Sequence, residues 1–127
     1  MRALTPGQLL RLGAGLAAVG VALGAFGAHG LRSLVTPERL AVFETGVRYH
    51  LVHALGILAA AGAAQAAPQS PGPRWAGALF ALGVLLFSGS LYLLVGTGVT
   101  AWGAVTPFGG LAFIAGWIAL ASTRLEA

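Results

Sequence analysis

The chain has 127 residues, 57% of them hydrophobic and only 8% charged, and its mean hydropathy is +0.87. Soluble domains carry roughly a quarter charged residues, so a water-soluble fold would have too little polar surface, and four membrane spans of about 20 residues nearly exhaust this length. Seven arginines against three glutamates give a net charge of +4; they stand singly at the ends of apolar runs, which argues for helix anchors and against a nucleic-acid patch, and the absence of cysteine excludes disulfides and thiolate sites.

The first apolar run, Leu12 to Ala28, carries no charge and follows Arg2 and Arg11. A secretory signal peptide shares this pattern, but three further spans follow, so a membrane helix is the expected reading. Gly20 and Gly24 form a GxxxG step, with Gly13 and Gly27 adding small surface; such spacing lets helix backbones approach closely where lipid supplies no hydrophobic drive for association. After a polar break, Thr36-Pro37-Glu38 predicts an N-cap, a first-turn proline and an acid favoured by the helix dipole. The helix that starts there is long enough to exceed the hydrocarbon core, with its first turns at the interface.

Three prolines between Pro68 and Pro73 predict a stiff loop. Arg74 and Trp75 are an interfacial pair leading into the third span, and Thr97 to Thr106 is a Gly-rich stretch with Trp102 that suits an interfacial turn. Thr106-Pro107 repeats the cap-plus-proline signal before the last span, closed by Arg124. The expected fold is therefore all-α, a single integral membrane four-helix bundle with spans at about 10–29, 37–67, 75–96 and 107–123. Arg2, Arg11, Arg74 and Arg124 fall on one side, Arg32, Arg39 and Arg48 on the other; the bias favours cytoplasmic termini in a plasma (inner) membrane.

Ionisable residues at membrane depth are functional hypotheses by default, which singles out His29, Glu44, Arg48, Tyr49, His50 and His53. Glu44 and Arg48 lie one helical turn and roughly 40° apart, so an i,i+4 ion pair is expected; Tyr49, His50 and His53 fall on the opposite side, spread over roughly 100°. The histidines have two readings: hydrogen-bonding groups in the core or interface, or ligands of a metal or haem together with His29. A structural zinc site would lack an obvious fourth ligand, and no metal or cofactor is expected. Ser88, Gly89 and Ser90 in the third span, with Gly20 and Gly24 in the first, are expected to serve helix packing; a serine nucleophile would need a base and an oxyanion site for which no motif exists.

Specific strings add to this physics. Gly24-Ala25-Phe26-Gly27-Ala28-His29-Gly30-Leu31, Glu44-Thr45-Gly46-Val47-Arg48-Tyr49-His50 with His53-Ala54-Leu55, Leu86-Phe87-Ser88-Gly89-Ser90-Leu91-Tyr92, and Thr106-Pro107-Phe108-Gly109-Gly110 through Ala115-Gly116-Trp117 together resemble the family of small membrane proteins known as domain of unknown function 423. That family takes in bacterial proteins of the YgdD and YwdK type and the eukaryotic transmembrane protein 256. The resemblance spans nearly the whole chain and implies a four-span protein of the bacterial plasma membrane, without supplying an activity. Arg48 departs from the family pattern, in which Glu or Gln precedes the tyrosine, so a family-wide role for that charge is in doubt.

The leading functional expectation is a non-enzymatic, Gly-rich bundle that oligomerises or binds a lipid, ion or small solute at the Glu/Arg/Tyr/His cluster. Its expected partners are membrane lipids and either a second copy or another membrane protein, with no nucleic acid. The alternatives are a small proton-linked transporter or channel titrating Glu44 or the histidines, and a His-ligated haem or metal redox protein.

Overall fold

The computed structural model describes residues 3–126, which leaves Arg2 outside the described residues. Among them are four helices long and apolar enough to cross a membrane. We label their main helical parts α1 (Pro6–His29), α2 (Pro37–Ala66), α3 (Gly72–Thr97) and α4 (Thr106–Ala121), the first span running on to Ser33 and the last beginning at Thr100. Short 3-10 turns, Leu31–Ser33 and Thr100–Ala104, occupy the two connections on one side of the bundle.

The helix starts follow local chemistry, and three of them differ from expectation. α1 begins before the apolar run because Thr5, Pro6 and Gln8 build a capping box. Gln8 N–H donates to Thr5 Oγ1 at 3.1 Å, and Thr5 N–H donates to Gln8 Oε1 at 2.9 Å. Thr36 caps α2 by accepting the Arg39 N–H at 3.3 Å. Thr106, expected to cap the last helix, does not: it lies inside the first turn of α4 and its hydroxyl meets Ser90 Oγ at 2.6 Å instead. α3 begins at Gly72, within the proline-rich stretch, because Pro73 in a first turn surrenders no intrahelical hydrogen bond.

α3 is interrupted by a five-residue π-turn, Val84–Ser88, closed by the Gly89 N–H donating to Val84 O. An inserted residue of this kind rotates everything beyond it. Phe80, before the turn, packs on Gly116 of α4 and Gly56 of α2, and Gly83 receives Phe113 of α4, whereas Ser88, the last residue of the turn, and Tyr92, beyond it, meet Gly46 of α2. α3 ends at Gly98, whose φ of +73° places its N–H on Leu94 O, a left-handed cap that a side chain would strain.

The helices pack mainly in chain order: α1 on α2, α2 on α3 and α3 on α4. α1 and α4 make no extended contact, and α2 meets α4 only narrowly. α2 and α3 thus lie at the centre of the bundle, with α1 reaching α3 only narrowly, where Leu9 meets Gly77. One core gathers Leu9, Ile57, Ala60, Phe80, Val84 and Phe113 towards the proline-loop end; a second, at the opposite end, gathers Leu31, Phe43, Val47 and Val95.

Glycines set the spacing of this bundle. Gly13, Gly20 and Gly27, seven residues apart along α1, are all buried, and a Cβ on them would run into Leu58, Leu51 and Phe43 of α2 respectively. Gly24 is only half buried, facing Val47. In α4, Gly109 lies directly against the Phe87 backbone and Gly116 against the Phe80 ring, while Gly83 of α3 receives Phe113. Gly89, read as a packing residue, makes no close interhelical approach; its part is to close the π-turn.

Replacing Gly109 with alanine drives a methyl group into the α3 backbone and is expected to cost about 1–3 kcal/mol. Gly62→Ala, where nothing lies within 4 Å, is expected to be neutral or to stabilise by about 0.5–1 kcal/mol through helix propensity. Thermal unfolding of both variants in detergent checks the contrast.

Candidate functional site

The six ionisable and aromatic residues singled out in the sequence do not form one cluster. α2 divides them. Glu44 and Arg48 are exposed on its outer face, away from the other helices. The expected ion pair is absent: no salt bridge joins them among the described residues, and both are exposed, where pairing gains little against the entropy of fixing two long side chains. His29 is exposed at the end of α1, remote in register from the other two histidines. No three His, Asp or Glu side chains converge among the described residues, so a His29, His50 and His53 ligand set is not assembled.

His50 and His53 are both 3% exposed and turn inward. His50 Nε2 lies 2.7 Å from Leu16 O of α1, and its Nδ1 lies 2.9 Å from the Tyr92 hydroxyl of α3. A carbonyl only accepts, so Nε2 carries the proton, and in the neutral ring Nδ1 accepts from Tyr92. The approach to a helix carbonyl is possible because Gly20, one turn beyond Leu16, has no side chain; a Cβ there would sit 3.2 Å from the His50 ring.

The partners of His53 fix its state still more tightly. Nδ1 donates to Tyr49 O at 2.7 Å, one turn back on α2, and Nε2 accepts the indole N–H of Trp117 at 3.0 Å. The indole can only donate and the carbonyl can only accept, so the ring between them is neutral with its proton on Nδ1. It also stacks on Phe113 with centroids 3.5 Å apart and planes 8° from parallel, and Tyr49 packs against Phe87 at 4.6 Å. The His53 contacts fill the narrow seam between α2 and α4, while Tyr49, still partly exposed, meets Phe87 of α3.

Hydroxyls complete the interhelical bonding. Ser88, fully buried, donates to Gly46 O of α2 at 2.7 Å. Ser90 bridges Phe87 O at 2.8 Å and Thr106 at 2.6 Å, tying the start of α4 to the π-turn. Every buried side-chain nitrogen or oxygen among the described residues has a partner, as a low-dielectric interior demands. Arg39, counted in the sequence only as a loop charge, donates from Nη1 to Leu94 O at 3.1 Å and so joins α2 to the end of α3. Trp117 enters the sequence reading through the family strings and the last apolar span, with no bonding role assigned to its indole.

The family profile described as "Protein of unknown function (DUF423)" matches residues 23–110. The chain belongs to this family. Its DUF423 relatives include the UPF0382 membrane protein YwdK of Bacillus subtilis, 48% identical over 107 residues, covering 84% of this chain and 87% of that protein. The UPF0382 membrane protein SH2409 of Staphylococcus haemolyticus is 44% identical over 109 residues, covering 86% and 88%. The UPF0382 inner membrane protein YgdD of Escherichia coli K12 is 44% identical over 97 residues, covering 76% and 73%. No solved structure matches. With four apolar helices and relatives named as membrane proteins, this DUF423 member is a multi-pass integral membrane protein. The stretch matched by the family profile contains His50, His53 and Ser88, while Leu16 and Trp117 lie outside it.

Membrane-embedded polar pairs couple by about 0.6 kcal/mol on average and by up to about 1.7. The buried, two-sided bonding of His53 places the His53–Trp117 pair at the upper part of that range. A double-mutant cycle of His53→Phe and Trp117→Phe, read by unfolding in detergent, is expected to give a coupling of about 1–1.7 kcal/mol.

Proposed function

We propose that this DUF423 member is a non-enzymatic helical bundle that acts through its outward surfaces, binding membrane lipid at the interfacial charges of α2 and the neighbouring loop. The observation that carries this reading is the engagement of both histidines at bilayer depth. All four ring nitrogens are committed to neighbouring groups, with tautomers set by donor-only and acceptor-only partners. A proton carrier or a haem ligand needs a ring nitrogen that can exchange its partner. Here both bonds of His50 and the Nε2 bond of His53 join α2 to another helix, so exchange at any of these three would break a bond that holds two helices together. The charges that are not so engaged, Glu44 and Arg48, face outward.

The glycines support lipid over a second copy as the partner. The glycines of α1 and α4 that permit close backbone approach face α2 and α3 of the same chain, so they are not available as a dimerisation surface. Lipid headgroups, in contrast, meet the exposed arginines and glutamates at the interface wherever the chain sits in a bilayer.

The test is proton flux in proteoliposomes carrying a pH-sensitive dye. Wild-type protein, Glu44→Gln and His53→Phe are all expected to match protein-free vesicles, while His53→Phe unfolds at lower temperature than wild type. Flux in the wild type that disappears in either variant overturns the reading in favour of transport.

A further inference from the structure

Where α2 enters the bilayer, its outer face and the preceding 3-10 turn enclose a groove of about 270 Å³ lined by Arg32, Val35, Pro37, Leu40, Ala41 and Glu44. We propose that this groove seats the headgroup of a phosphatidylethanolamine lipid, with the Arg32 guanidinium on the phosphate and the Glu44 carboxylate on the primary ammonium. The inference rests on the lipid-binding reading above and names the lipid.

The argument begins with charge. Arg32 and Glu44 bring opposite signs to one small concavity, both are exposed, and neither has a hydrogen bond or ion pair within the chain among the described residues. A ligand that uses both must carry an anion and a cation a few bonds apart. An anionic lipid with a glycerol or second phosphate headgroup would satisfy Arg32 and leave Glu44 facing a like charge. A phosphocholine lipid has the right signs, but its trimethylated nitrogen has no N–H to donate to the carboxylate. The ethanolamine ammonium has three donors, and charge-assisted N–H···O bonds are roughly twice as strong as neutral ones.

Size and placement agree with charge. The groove, about 270 Å³ and open on one side, admits a headgroup of the size of phosphoethanolamine. The remaining wall, Val35, Pro37, Leu40 and Ala41, is apolar and continues down the outer face of α2 towards Val52 and Leu55, both exposed, along which an acyl chain can run. Position 44 stands 22 residues from the Ala66 end of α2, about 33 Å along the helix, which is the depth of the headgroups when the far end lies at the opposite interface. Arg48, one turn deeper on the same face, is not part of the lining.

The experiment is native mass spectrometry of the full chain in detergent, titrated with phosphatidylethanolamine, phosphatidylglycerol and phosphatidylcholine of identical acyl chains, and separately with soluble phosphoethanolamine. Phosphatidylethanolamine adducts are expected to dominate, and Arg32→Gln and Glu44→Gln each to weaken them about tenfold, the loss of one charge-assisted contact. Arg11→Gln, an exposed position near the start of α1 and outside the groove, should leave the preference intact. Both lining residues are exposed, so unchanged unfolding temperatures confirm that the variants fold. Phosphatidylglycerol bound as well as phosphatidylethanolamine, or adducts indifferent to both lining substitutions, overturns the headgroup assignment while leaving the lipid-binding reading in place. Soluble phosphoethanolamine outcompeting the lipid also overturns it, assigning the groove to a free solute. No retained lipid of any class overturns both readings.

Discussion

Helices surrounded by lipid gain little by burying apolar side chains against one another, since acyl chains offer an equivalent surface. Two things remain to hold such a bundle together: dispersion at close backbone contact, and hydrogen bonds that have no competition from water. This DUF423 protein uses both at every long interface. Between α1 and α2, three glycines at seven-residue spacing admit Leu58, Leu51 and Phe43, and at the middle one the backbones come near enough for His50 to reach Leu16 O. Between α3 and α4, Gly109 lies on the Phe87 backbone where Ser90 and Thr106 join. The small residue and the polar bond are one device, since the first creates the proximity that the second requires.

The same device explains the fate of the polar residues of α2. A side chain facing a neighbour across such a short gap is bonded and neutral, as His50 and His53 are. One on the uncovered face stays exposed and makes no bond to another helix, as with Glu44 and Arg48. The division follows from helix phase alone, because positions 44 and 48 lie roughly opposite positions 46 and 53 around the axis.

Much of this was legible in the sequence. Four apolar runs and the proline-rich break identified the spans, and the 100° periodicity separated Glu44 and Arg48 from Tyr49, His50 and His53. What escaped reading shares a physical cause: backbone atoms carry no signature of their own in a list of side chains. The acceptor of His50 is a carbonyl on another helix, and that of Arg39 is a carbonyl at the end of α3. The π-turn is a change of hydrogen-bond register within an unremarkable apolar run. The start of α1 differs for another reason: hydropathy begins the span at about residue 10, while the capping chemistry of Thr5 and Gln8 begins the helix at Pro6, about one turn sooner. Trp117 supplies the only side-chain donor to His53 Nε2, yet within an apolar run an indole reads as bulk.

The chain-order packing has a consequence for biosynthesis. Each helix rests chiefly on the one made just before it, so the order of translation is also an order of assembly. α1 and α2 together already hold Leu16 and His50; α3 then brings Ser88 and Tyr92 to a hairpin that is waiting for them; α4 arrives last with Trp117 to close the seam at His53. At no stage must an earlier helix be displaced to admit a later one, so the nascent protein can leave the insertion machinery one docked segment at a time.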